Sequence, residues 1–291
     1  MREEARDARI PYERYFDVAV FPEAGTSLQS YAYLRRLTDN VFETNPVWDA
    51  HAHIGKDIDG HQLSVDDLLA ELDRYHITGA VVFPFDDPDQ AEDFRVPNER
   101  IWTACQRAPD RLIPFMRLNP TGPWQPEYER RLERGFRGVK LHPRAQQFDL
   151  GSGAVRPVFA RAAADGLPVL IHTGFGVDAI SDSIAGLAAE HSSLKLILGH
   201  STFIDIQDAL RVLAPYPNVF FETSVVRVYD LFTLLRAVEP SRILYGSDIP
   251  YASTYSAAQA LVSTARFAGL GPKHLPELMG GNLLNVIGGA P

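Results

Sequence analysis

The sequence predicts an α/β fold: a single (β/α)8 TIM barrel with an N-terminal helical extension. Three observations point there. From residue 47 onward, short runs rich in Val, Ile, Leu and Phe alternate with helical stretches, as parallel strands joined by crossover helices require. The runs are apolar throughout rather than strictly alternating, which is how strands buried on both faces read. Several of them end in histidine, lysine or aspartate, and the carboxyl ends of barrel strands are where such folds carry their active sites. A chain of 291 residues suits one barrel of about 250 residues plus an extension.

Residues 1–46 form the extension. Tyr12, Tyr15, Phe16, Val18, Val20 and Phe21 mark a segment that packs onto something, and Leu28, Tyr31, Leu34, Leu37 and Val41 give Ser27–Phe42 helical spacing. Packing on the barrel is the expected role, with a pocket lid or a homodimer contact as alternatives. The barrel domain, 47–291, opens with Val47-Trp48-Asp49-Ala50-His51-Ala52-His53-Ile54-Gly55. His51 and His53, two residues apart on a strand, share one side. Asp49 lies deeper and is expected to be a buried supporting carboxylate. Ser64-Val65-Asp66-Asp67 reads as a helix cap, followed by the stripe Val65, Leu68, Leu69 and Leu72, so a helix is expected over 64–76.

Later strands are expected at 77–85, 112–119, 138–143, 168–173, 194–200, 218–224 and 242–248. Helices are expected through Trp102 and over 154–165 (stopped by Gly166), 178–190, 203–214 and 229–238, with a last helix and short caps after 254. Lys140 and His142 alternate onto one face of the fourth strand. His172, His200 and Asp248 close the fifth, sixth and eighth. A lone strand-end histidine is usually a hydrogen-bonded rim residue, but five histidines and an aspartate shared among five strand ends point to a metal site. His61, His76, His191 and His274 lack that placement.

Composition narrows the function. Lys+Arg 28 against Asp+Glu 37 gives a net charge of -9 with no basic run, which argues against nucleic-acid binding. The single cysteine, Cys105, excludes an intrachain disulfide. With a charged N-terminus and no long apolar stretch, the expectation is a soluble cytoplasmic protein acting on a small molecule. No Gly-x-Ser-x-Gly, dinucleotide fingerprint or Walker loop occurs.

The ordered set Asp49-Ala50-His51-Ala52-His53-Ile54-Gly55, Gly138-Val139-Lys140-Leu141-His142-Pro143, Leu170-Ile171-His172, Leu198-Gly199-His200 and Tyr245-Gly246-Ser247-Asp248 resembles the amidohydrolase superfamily over roughly 47–285. More narrowly it resembles the amidohydrolase-related branch that includes aminocarboxymuconate semialdehyde decarboxylase-like enzymes. The resemblance implies that His51, His53, His172 and Asp248 bind a divalent metal, most often zinc, with His200 acting beside it. Some members carboxylate the strand-four lysine to bridge two metals, in which case His172 and His200 would bind the second. One ion is favoured here, with Lys140 and His142 as pocket groups.

Imidazole and carboxylate ligation suits Zn2+ and also admits Mn2+, Fe2+ or cobalt. Such an ion would make water acidic enough to attack a carbonyl near neutral pH, with Asp248 taking the proton and His200 polarising the carbonyl. Hydrolysis of a small amide, ester or lactone is therefore expected. The alternative is non-oxidative decarboxylation of a small unsaturated or aromatic acid, although Lys140-Leu141-His142-Pro143 departs from that subgroup. Arg117, Arg144 and Arg227 are candidates for binding a substrate carboxylate, and Phe83, Phe85, Phe175 and Tyr251 for lining a pocket.

Overall fold

Apolar runs pair side by side into a ring. In the computed structural model, which describes residues 22–291 except 92, 178 and 179, strands β1 (Trp48–Lys56), β3 (Gly79–Pro84) and β4 (Leu112–Pro114) are parallel neighbours. So, in turn, are β5 (Met116–Arg117), β6 (Val139–Leu141), β7 (Val169–His172), β8 (Leu196–Gly199), β9 (Val219–Glu222) and β10 (Ile243–Leu244). β4 and β5 are two halves of one stave interrupted at Phe115: the first half pairs with β3, the second with β6. Hydrogen bonds from Ala50 N to Tyr245 O (2.9 Å), Asp248 N to His51 O (2.9 Å) and His53 N to Ile249 O (3.0 Å) join the last stave to the first. The barrel is thus closed with eight staves, the predicted architecture.

The eighth regular strand is shorter than the expected 242–248, because residues beyond Leu244 make irregular contacts with β1. A two-residue strand, β2 (Gln62–Leu63), folds antiparallel onto the end of β1 and has no counterpart in the sequence expectations.

Helices α2 (Val65–Arg74), α3 (Arg95–Arg107), α4 (Gln125–Glu133), α5 (Arg156–Asp165), α6 (Ser181–Glu190), α7 (Ile206–Leu213), α8 (Val228–Ala237) and α9 (Thr254–Phe267) lie between successive staves or after the last. The predicted cap is formed: Ser64 Oγ accepts from Asp67 N at 3.1 Å. Gly166 ends α5 in the left-handed conformation. Helix α1 (Pro22–Thr44) packs on α9, with Phe42 stacked on Tyr255. The aromatic segment Tyr12, Tyr15, Phe16, Val18, Val20 and Phe21 lies outside the described residues. No helix among the described residues is long and apolar enough to cross a membrane.

Two apolar layers result. The larger lies between staves and helices; the smaller fills the barrel where the strands begin, with Ala50, Val81, Phe83, Ile113, Phe115, Leu170, Ile197 and Leu244 packed against Leu283, Val286 and Ile287 of α10 (Asn282–Ile287). Phe115 lies over Gly138, where a Cβ would stand 2.4 Å from the ring.

In β1 the register with β3 slips between Asp49 and Ala52, so three residue steps oppose two. Trp48 and Ala50 therefore belong to the inner layer, while Ala52 and Ile54 join the outer one. The bulge resets the alternation so that His51 and His53 both point inward above the apolar filling.

Candidate metal centre at the barrel mouth

His51, His53, Lys140, His142, His172, His200 and Asp248 all line one cavity of about 630 Å³ at the carboxyl ends of the strands, together with Arg117 and Arg144. Alternation explains the inward set: Val139 and Leu141 face the helices while Lys140 faces in, and Leu170 is followed by His172 on the same side. His200 and Asp248 follow the strand logic only in part. Each adopts the left-handed backbone (φ 67 and 64), a costly conformation held by the surrounding contacts that turns the side chain back over the barrel.

One donor atom each from His51, His200 and Asp248 lie within 4.8 Å of one another. His53 Nε2 and His51 Nε2 stand 3.1 and 3.2 Å from the same atom, Asp248 Oδ1. His172 Nδ1 is 3.1 Å from His200 Nε2, and its ring stacks on His142 at 3.8 Å. Lys140 Nζ is 3.4 Å from His51 Nε2 and 4.6 Å from the Phe83 ring.

Glu222, the last residue of β9, was not among the sequence candidates, yet it organises this cluster. Its carboxylate accepts from His51 Nδ1 (2.8 Å), His200 N (3.1 Å), Ser224 N (2.5 Å) and Ser224 Oγ (2.7 Å). Ser224, with its single proton given to Glu222, accepts from His200 Nδ1 at 2.9 Å. With Glu222 ionised, His51 and His200 both carry their proton on Nδ1, leaving their Nε2 lone pairs pointing into the cavity. His172, whose Nε2 faces Phe175 O at 3.4 Å, presents its Nδ1 in the same way.

Lone pairs then confront one another at 3.1 Å (His200 and His172) and confront a carboxylate oxygen at 3.2 Å (His51 and Asp248). A bound cation resolves such a set, and its donors, imidazole nitrogen and carboxylate oxygen, suit a divalent metal.

Electrostatics agree. Burial drives His51, His142 and His172 well below the ordinary imidazole value and His200 down to about 4, so these rings are neutral near pH 7. Burial would raise Asp248, but the His53 hydrogen bond and nearby His200 hold it below the usual carboxylate value. Burial lowers Lys140 to about 7 and raises Glu222 to about 8. Glu222 also explains Gly246: a Cβ there would lie 2.0 Å from Oε1.

Asp49 is fully buried and supportive, as expected, but it braces backbone rather than an imidazole: it accepts from His51 N (2.9 Å), Ser247 N (2.9 Å) and Ser247 Oγ (2.5 Å). Phe175 and Tyr251 line the cavity, and Tyr251 donates to Asp57 across its edge. Phe83 and Phe85 instead pack beneath it against His51 and His53. Arg227 does not join the lining: its side chain is 62% exposed and bonds Asp230 Oδ2 (2.5 Å) and Phe203 O (3.0 Å).

A barrel whose mouth gathers neutral imidazoles around a carboxylate could hold a metal ion there. The amidohydrolase family model matches residues 48–282, and the chain belongs to that family. No curated protein matches the sequence.

Among solved structures, the chain is similar to an uncharacterised TIM-barrel protein from Bordetella bronchiseptica (15% identity, 89% of this chain and 91% of that one, TM-score 0.63). It is also similar to a probable 2-pyrone-4,6-dicarboxylic acid hydrolase from Acinetobacter baumannii (15%, 83% and 99%, TM-score 0.59). A third is 5-carboxyvanillate decarboxylase from Sphingomonas paucimobilis (15%, 84% and 99%, TM-score 0.62). At these identities the likeness establishes the shared barrel.

Proposed function

We propose that the protein is a metal-dependent hydrolase that directs water onto the carbonyl of a small amide, ester or lactone. The observation that carries this reading is the convergence of unprotonated His51 and His200 nitrogens with Asp248, His172 Nδ1 standing 3.1 Å from His200 Nε2, inside a cavity of about 630 Å³. His51, His53, His172 and Asp248 hold the ion, and the Ser224–Glu222 relay, which keeps the His200 Nε2 lone pair turned inward, favours His200 as a further donor. A divalent ion, zinc by preference with manganese or iron as alternatives, supplies Lewis acidity and a water nucleophile near neutral pH.

Around it the chain performs the rest. Asp248, ionised and beside His51 and His53, takes the proton of the attacking water and returns it to the leaving group. Glu222 fixes the tautomers that keep the imidazoles available. Lys140 and His142 are the polar groups left at the mouth to hydrogen-bond the oxyanion that forms. One ion is favoured; two would require a carboxylated Lys140.

Similarity to 5-carboxyvanillate decarboxylase supports a second reading, loss of carbon dioxide from a small unsaturated or aromatic acid, in which a carbon atom is protonated in place of water attack. Elemental analysis and a substrate panel separate the readings. The first expects one metal per chain and turnover of lactones, esters or amides. Carbon dioxide release with no hydrolysis would establish the second, and a metal-free, fully active His51→Ala protein would end both.

A further inference from the structure

We infer that the substrate carries a carboxylate apart from its reacting carbonyl and that Arg117 seats it. The inference rests on the reading of this cavity as an active site. Arg117 ends β5, and its peptide is held at both ends by one side chain: Asn98 Oδ1 accepts from Arg117 N (2.8 Å) and Asn98 Nδ2 donates to Arg117 O (2.9 Å). Its guanidinium is therefore delivered into the cavity wall, 1% exposed, with the Phe94 ring 5.3 Å from Cζ.

Nη2 meets Asp86 Oδ1 at a long 3.3 Å, and Nε is buried with no hydrogen-bond partner among the described residues. An idle buried donor on a cation is costly, and a carboxylate is the acceptor whose shape and charge match the guanidinium fork. Burial lowers Arg117 only to about 10, so it stays charged at neutral pH.

Lys140 and Arg144 also line the cavity; of its carboxylates, Asp57 is engaged by the Tyr251 hydroxyl, Asp86 by Arg117 itself, and Asp59 is exposed to water. Exposed Phe175 and Val225 supply an apolar rim. The class defined is a small organic acid with an apolar body, its carboxylate on Arg117 and its reacting carbon near His51 and Asp248.

Calorimetric titration of the metal-loaded protein with benzoate and isophthalate, against benzamide and isophthalamide, tests this. The acids are expected to bind at least about tenfold more tightly than the amides, and Arg117→Gln to remove that preference. The double variant Arg117→Gln/Asp86→Asn, which leaves no unpaired carboxylate, should lose it too while melting close to wild type by circular dichroism.

Equal binding of acids and amides, acid binding unchanged in Arg117→Gln, or no saturable acid binding would overturn the inference. Turnover of uncharged lactones independent of Arg117 would sink it and leave the hydrolase standing. An inactive protein that still selects acids through Arg117 would do the reverse.

Discussion

The inside of this barrel has two storeys built by the same strands. At the lower one, Ala50, Val81, Phe83, Ile113, Phe115, Leu170, Ile197 and Leu244 interdigitate, and α10 closes them off. At the upper, the inward positions are His51, His53, Arg117, Lys140, His172 and Glu222, with His200 and Asp248 turned over them. Two residues along a strand separate Leu170 from His172 and Phe115 from Arg117. The lower storey stabilises by removing apolar surface from water; the upper one spends part of that stability on burying ionisable groups, whose displaced pKa values record the cost.

That contrast can be broken most directly at Asp248. Asp248→Asn should reduce turnover by at least about 10³-fold and weaken metal retention, since it removes a proton acceptor and an anionic ligand. In chelator, its urea midpoint should fall modestly, because the folded protein holds the ionised Asp248 through the His53 hydrogen bond and the neighbouring His200. A drop as large as that of Phe115→Ala would mean the upper storey is structural.

Phe115→Ala should behave oppositely. It should cost about 3–5 kcal/mol of unfolding free energy, read from urea titration, with metal stoichiometry unchanged in the folded protein. Glu222→Gln sharpens the boundary between the storeys: weakening the brace on His51 and Ser224 should lower metal affinity about 10–100-fold in a chelator competition. Smallest is Ser64→Ala, remote from both, which should cost about 1 kcal/mol through the lost α2 cap and leave metal affinity untouched.

Much of the upper storey was readable because period-two alternation and an apolar run ending in a polar residue are local signals. Lys140, His142 and His172 sit in the cavity as strand position implies. Glu222 carried the same signal in Phe220-Phe221-Glu222-Thr223, but its role became visible only through its contacts with His51 and His200, 171 and 22 residues away. Arg227 shows the converse: a rim position near the mouth does not settle direction, and a nearby Asp230 draws it outward.

Hydrophobic periodicity and burial act residue by residue along a strand, so the chain's own pattern was enough to give the barrel, the order of its staves and the storey of each strand-end histidine. The tertiary structure alone decided the bulge that turns His51 inward, the left-handed corners at His200 and Asp248, and which nitrogen of each ring carries its proton. Those depend on partners brought together by barrel closure, and no local pattern encodes them.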